Sequence, residues 1–340
     1  METPTGTRAS ALILVLWVVA ILAVLVSGFA FDMHIESRIV SHLRKKVKAE
    51  YLTRAGLEWA KMLLAHSAQI NGKTDSDELK GESWYNDAKR LKQGYAIIGL
   101  TGQLGEGTII IDITPEPALR NINSLTDEDW ERILKVGGIP EEHWSELIDS
   151  FDDWRDADDI PRVNGAETDD YYAKLEPPYK ARGHTGVAAN LDTVDELLLI
   201  KGWTRPMLYG GPMVEGETND TVMTGIADLL TAQLQTGQQV NINAAGKRVL
   251  LTLPGIDEQK ADAIISEREG LTGGGQIGED HFFTDVNNFL TRVPELGSLN
   301  PVDRSRLQTL VSTASQIMRI KSVGRVHGVE QKIVSMVGQK

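Results

Sequence analysis

The chain has no cysteine among its 340 residues, which excludes disulfides, thiolate metal ligation and cysteine nucleophiles. Positive charge is scarce: 35 Lys and Arg face 48 Asp and Glu, for a formal net charge of −13. A chain of that sign is a poor general ligand for nucleic acid or anionic lipid. No Gly-rich phosphate loop, HExxH or GxSxG occurs, and the seven histidines are scattered without a pair at metal-ligand spacing. These absences point away from enzymatic activity. Past residue 31 there is no second apolar run of bilayer length.

What is present begins with Ala11 to Phe31, 21 residues without a charge. As a helix this run crosses a hydrocarbon core of about 30 Å. A cleaved secretory signal would have a shorter apolar region followed by a small-residue cleavage site. Here the run passes straight into more helical sequence. From Asp32 to Ala65 there is no proline and one glycine, Gly56. Ile35, Ile39, Leu43, Val47 and Tyr51 recur at the spacing of an amphipathic helix. The expectation is one rod of about 55 residues and about 80 Å, half in lipid and half packed on a globular head.

The ends of the head carry strand patterns. Gly94 to Leu100 and Thr108 to Ile113 read as a hairpin punctuated by Gly102, Gly105 and Gly107, and Pro115 and Pro117 end it. Ile317 to Val323 and Val329 to Val337 read as two further strands. Residues 67–93 read as a polar loop with a short helix around Trp84 to Leu91. Between the strand pairs lies a weak internal repeat. Asn121-Ile122-Asn123 leads into a helical run ending at Gly137-Gly138-Ile139-Pro140, and Asn241-Ile242-Asn243 into one ending at Leu253-Pro254-Gly255-Ile256. The last Asn of each triplet is expected to cap the following helix, and each Gly-Ile turn to reverse it into a helix–hairpin–helix unit. Thr193 and Glu196 sit at capping-box spacing between the two units. The fold class is α+β: a long N-terminal transmembrane and amphipathic helix on a small antiparallel sheet, with a large all-helical insertion of two helix–hairpin–helix subdomains.

The densest chemistry is Asp149 to Tyr172, DSFDDWRDADDIPRVNGAETDDYY. From Leu125 to Asp159, thirteen acidic residues face three basic ones. A hard divalent ion would relieve their repulsion, and calcium takes six to eight oxygen ligands at about 2.3–2.6 Å. Asp156, Asp158, Asp159 and Glu167 are the favoured ligands, with Asp152 or Asp153 as alternates. The spacing is not that of an EF-hand, and a solvated acidic face is the competing reading. Trp154, Tyr171 and Tyr172 read as core anchors.

The N-terminus, Arg8-Ala9-Ser10-Ala11-Leu12-Ile13-Leu14-Val15-Leu16-Trp17, resembles that of type IV pilin-like proteins. It is most similar to the K-type minor pseudopilins of type II secretion, as are DDWRDADD and GAETDDYY. The resemblance implies cleavage by a prepilin peptidase between Ala9 and Ser10, where Ala9 replaces the usual Gly, with N-terminal methylation and the span retained. It implies Leu14 in place of the usual fifth-position Glu, as in the K type, and calcium in the helical insertion. It also implies a pilin-like sheet carrying SAM-like subdomains, divided as leader 1–9, span 10–31, amphipathic helix 32–66, sheet 67–115 and 314–340, and subdomains 116–225 and 226–313. Implied partners are the I-type and J-type minor pseudopilins, at a single-pass bacterial inner-membrane site with the N-terminus cytoplasmic and the C-terminal domain periplasmic. Charge alone argues for the opposite orientation, since one Arg precedes the span while Arg38, Arg44, Lys45, Lys46 and Lys48 follow it. Two other readings remain: a membrane-anchored helix–hairpin–helix DNA receptor, and a calcium-dependent adhesion module. Asn241 to Gly270 carries four basic and five acidic residues, the wrong sign for phosphate, so no nucleic acid is expected.

Overall fold

The computed structural model describes residues 6–69, 83–183, 186, 188–212, 222–233, 239–270, 281–315 and 317–338. Helix α1, Gly6–Gln69, is one unbroken run of 64 residues, about 96 Å long. It is longer than the periodicity predicts because nothing interrupts it at either end: no proline lies within it. Among the described residues it is the one helix long and apolar enough to cross a membrane. Its side chains from Ile13 to Phe31 are exposed, which in water would be untenable for such a surface.

Two hairpins make the main sheet. Strands β1 (Ile97–Leu104) and β2 (Gly107–Pro115) form one; β3 (Ile317–Val326) and β4 (Val329–Gly338) form the other. The order is β1-β2-β3-β4, so strands from opposite ends of the head meet at the centre. Gly105 (φ 60°) and Gly328 (φ 82°) supply the left-handed turn positions. Alternation along β2 buries Ile109, Ile111 and Ile113, as a period of two requires.

The chain divides into two compact units. The first comprises Met1–Trp59, Gly99–Ile111 and Lys321–Val334. Here α1 turns a face of small residues, Ala49, Thr53 and Gly56, to the strands. A Cβ on Gly324 would lie 2.2 Å from the Ala49 carbonyl oxygen, and one on Gly56 would lie 2.2 Å from Ser322 Oγ. Thr53 is fully buried; its Oγ1 accepts from Gly324 N at 3.0 Å and donates to the Ala49 carbonyl at 2.7 Å.

The second unit comprises Ala60–Ile98, Asp112–Ile320 and Ser335–Lys340. Its helices are α2 (Ser83–Lys92), α3 (Asp127–Gly137), α4 (Trp144–Arg155), α5 (Arg205–Tyr209), α6 (Lys247–Leu250), α7 (Glu258–Arg268), α8 (Val286–Arg292) and α9 (Pro301–Leu310). Trp130 packs edge-on against Phe151 and Trp203, and Trp154 against Tyr172, in a continuous apolar core. Glu116 and Arg319 flank the insertion and hold its two ends together: the buried carboxylate accepts from Arg319 Nε at 2.8 Å and Nη2 at 2.7 Å.

The internal repeat is real at the level of individual bonds, but its asparagines work differently from the expectation. Thr126, not Asn123, caps α3, in a capping box with Asp129. The first Asn of each triplet binds locally: Asn121 Oδ1 accepts from Asn123 N at 3.1 Å, and Asn241 Oδ1 from Asn243 N at 3.0 Å. The last Asn bonds a distant backbone unit on both sides. Asn123 Oδ1 accepts from Leu191 N at 2.8 Å while its Nδ2 donates to Leu191 O at 3.0 Å. Asn243 does the same to Phe283, at 2.9 and 3.0 Å. The first Asn of each triplet also ends a two-residue parallel ladder, Arg120–Asn121 with Leu230–Thr231 and Val240–Asn241 with Val311–Ser312, so the insertion is not all-helical as expected: distant segments pair there over too few residues to leave a period-two pattern. The capping box expected of Thr193 and Glu196 does not form, because Glu196 instead accepts from Trp154 Nε1 and from Arg182. Each hairpin turn carries a left-handed glycine, Gly138 after α3 and Gly255 before α7.

A candidate cation site at the end of α4

Helix α4 places Asp149, Asp152 and Asp153 within one turn, and Asp156 closes it as the C-cap residue. Carboxylates at a helix C-terminus face the negative end of the macrodipole, so this arrangement is unfavourable unless a cation sits there. The chain then loops out through residues 157–164 and returns at Gly165. The return is close: a Cβ on Gly165 would lie 1.9 Å from Asp153 Oδ2. That contact sets Glu167 into the cluster, 2 % exposed, with its own N–H donating to Asp170 at 2.8 Å.

Asp153, Asp156 and Glu167 each offer an oxygen, and these oxygens lie within 4.8 Å of one another. Both Glu167 oxygens and Asp156 Oδ1 are buried without a hydrogen-bond partner in the described structure. Buried carboxylate oxygens without donors are costly and require an explanation. Burial, followed by the charges of Asp156 and Asp153, pushes the Glu167 carboxyl up to about 8. Burial also raises Asp156, with Asp158 and Asp153 adding to it, and raises Asp153 against the backbone N–H groups of Arg162 and Ala166. An all-oxygen, all-carboxylate donor set suits a hard divalent ion.

Of the four favoured residues, the structure brings Asp156 and Glu167 together and adds Asp153, one of the alternates. Asp158 and Asp159 are exposed and stand outside the trio; Asp158 instead accepts from Ile160 N at 2.9 Å. Asp152, the other alternate, is taken by Arg162 at 2.6 Å. Linear spacing favoured the consecutive acids after Trp154, whereas the helix turns Asp153 inward. The aromatic residues beside the site are structural: Tyr172 is fully buried and Trp154 nearly so, while Tyr171 packs partly exposed against the core.

A second polar group escaped the sequence reading. Arg120, 1 % exposed, pairs with Asp129 at 2.7 Å and donates to Thr252 O at 3.0 Å. Burial pushes the Asp129 carboxyl up, but the Arg120 charge and the bonds from Arg120 and Thr126 outweigh it and hold it below its usual range. A lone Arg before a helix gives no local signal of this.

The hairpin around Gly255 has no free positive charge. Lys247 pairs with Glu258 and Asp262 at 2.6 and 2.8 Å, Lys260 pairs with Asp257, Arg248 with Asp228, and Arg268 donates to the carbonyls of Ile242 and Ala245. The Ala9–Ser10 bond lies within α1.

A long apolar helix, a small four-stranded sheet and a helical insertion between its hairpins make up a pilin-like fold whose N-terminal helix is long and apolar enough to cross a membrane. Residues 117–209 match the family described as "Type II secretion system (T2SS), protein K". That segment contains α3, α4 and the carboxylate trio. No curated protein sequence matches the chain. Its fold is similar to a chain in the crystal structure of the GspK-GspI-GspJ complex from the enterotoxigenic Escherichia coli type 2 secretion system. The TM-score is 0.56 at 16 % identity, covering 87 % of this chain and 94 % of that one.

Proposed function

We propose that the protein is a minor pseudopilin that occupies the tip of the type II secretion pseudopilus, with I-type and J-type minor pseudopilins as neighbours. The match of residues 117–209 to protein K carries the reading, and the pilin-like fold supports it. The role is one of assembly rather than catalysis. The apolar half of α1 would sit in the inner membrane, N-terminus inside and head periplasmic, after a prepilin peptidase cuts between Ala9 and Ser10. Leu14 offers no carboxylate to a neighbour's N-terminal amine, a contact that the topmost subunit of an assembly does not need. The helical insertion, with its two subdomains of helix–hairpin–helix type, would block addition above it. Two measurements test this. Edman sequencing of the membrane-extracted chain should begin at Ser10, and the detergent-solubilised chain should co-purify with the other minor pseudopilins of its own secretion system. A chain that starts at Met1 where prepilin peptidase is active, or that purifies alone, overturns the reading. The DNA-receptor alternative is disfavoured because the four basic side chains around Gly255 are all engaged within the protein.

The reading includes a calcium ion held by Asp153, Asp156 and Glu167. The orphaned oxygens of Glu167 support it, since a bound cation is what would satisfy them. Bound there, the ion would neutralise carboxylates at the end of α4 and tie the returning segment to it.

A further inference from the structure

The loop that brings the chain from α4 back to Glu167 contains Asn164 followed by Gly165. Such a pair is chemically labile. Glycine has no side chain to shield its backbone nitrogen, which can attack the carbonyl carbon of the preceding asparagine side chain. Asn164 is exposed and lies in a turn that Gly165 N closes by donating to Arg162 O at 3.1 Å. Two further ties hold the pair. Asn164 donates to Asp149 Oδ2 from its Nδ2 and from its N, each at 3.1 Å. Lys201 Nζ donates to the carbonyl oxygens of Asn164 at 3.1 Å and Gly165 at 3.2 Å. Behind the pair there is no slack, since a Cβ on Gly165 would lie 1.9 Å from Asp153 Oδ2 and 3.2 Å from the Asp149 carbonyl oxygen.

We propose that Asn164–Gly165 is a site of spontaneous deamidation, closed while Asp149 and Lys201 hold the turn and open when they release it. The Gly165 nitrogen bonds to Asn164 Cγ and gives up its proton; the Cγ–Nδ2 bond breaks and ammonia leaves. Water then opens the cyclic imide at either carbonyl, giving aspartate or isoaspartate, with no oxidant and no cofactor. In the held turn the Gly165 N–H is engaged by Arg162 O and the Asn164 amide by Asp149, so reaction waits on local opening. Both products reach the carboxylate trio. Each sets a carboxylate against Asp149 where a donor stood. Isoaspartate also adds a backbone atom directly before Gly165, which already lies hard against Asp153, and so moves Glu167 out of register with Asp153 and Asp156. The effect on ion binding rests on the calcium reading; the deamidation site does not.

Peptide mapping by mass spectrometry of the detergent-solubilised full chain, incubated at neutral pH in chelator, tests it. Folded wild type should convert Asn164 several-fold more slowly than the same chain in urea. Lys201→Met and Asp149→Ala, each incubated where its own melt shows it folded, should convert several-fold faster than wild type. Lys201→Arg, which still donates to both carbonyls, should keep the slow rate. Equal rates for wild type folded and in urea, or both Lys201→Met and Asp149→Ala as slow as wild type, overturn the closure by Asp149 and Lys201. An Asn164 that stays intact in urea overturns the site itself. The converted chain, separated by ion exchange, should lose the rise in melting temperature that calcium gives the unconverted chain. A full calcium response in the converted chain overturns the effect on the trio. No response in either form removes the calcium reading and leaves the deamidation site standing.

Discussion

At the scale of single residues, charge burial decides most of what is testable. Glu167 holds its proton up to about pH 8 in the ion-free fold, against 4.5 ordinarily. Between those values the native state binds a proton that the unfolded chain does not, so ion-free stability is full below about pH 4.5 and falls as the pH rises toward 8. Thermal melts in chelator should therefore drop across that window. Glu167→Gln should flatten the drop and remove the calcium response; a melt series in which the variant follows wild type would remove Glu167 from the site. Asp129 has the opposite sign. Its lowered carboxyl stabilises the fold above its unfolded pKa, and that contribution is lost as the pH falls through the folded one. Arg120→Ala leaves Asp129 buried without its partner and should cost about 3–5 kcal/mol by denaturant titration, the usual cost of an orphaned buried charge. The Asp129 pair was invisible in the sequence and the Glu167 cluster only partly legible: Asp156 and Glu167 were among the favoured residues, but the turn of a helix and a returning loop set Asp153 beside them in place of Asp158 and Asp159.

At the scale of elements, α1 and the strands were legible because their signals are local. An uncharged run of bilayer length, a period near 3.6 and a period of two each dictate backbone structure without knowledge of the rest of the chain. The contact between helix and sheet was not legible, since it depends on which small residues face each other. Gly324 lies against the Ala49 carbonyl and Thr53, so Gly324→Val should destabilise by about 1–3 kcal/mol or more through overpacking. Gly246→Ala meets nothing within 4 Å and should stay within about 0.5 kcal/mol of wild type. Equal denaturation midpoints for the two variants would show that the small-residue face of α1 is not tightly packed. If the apolar half of α1 spans the bilayer as proposed, Leu14→Glu should disturb assembly more than folding of the head. A carboxylate in the bilayer costs several kcal/mol unless paired. Normal secretion by that variant would detach position 14 from tip placement.

At the scale of the whole molecule, the expected response to calcium has a definite sign. An ion that binds only the native state raises stability by about 2.7 kcal/mol at a hundredfold excess over Kd. The melting temperature of the solubilised chain should rise with calcium and fall with chelator, and magnesium should do less because it gives up water reluctantly. If sodium chloride at matched ionic strength reproduces the shift, the acidic segment is a screened surface rather than a site. The sequence by itself determined the apolar run of bilayer length, its continuation as a helix, the strands at either end of the head and the largely helical character between them. Each of these is set by hydrogen bonds and burial patterns among residues close along the chain. Only the tertiary structure decided that Asp153 rather than Asp158 or Asp159 joins Glu167, that Arg162 pairs with Asp152, and that Asn123 and Asn243 bond Leu191 and Phe283. Those pairings join segments up to dozens of residues apart, and a side chain carries no local mark of a partner that only the packed core delivers.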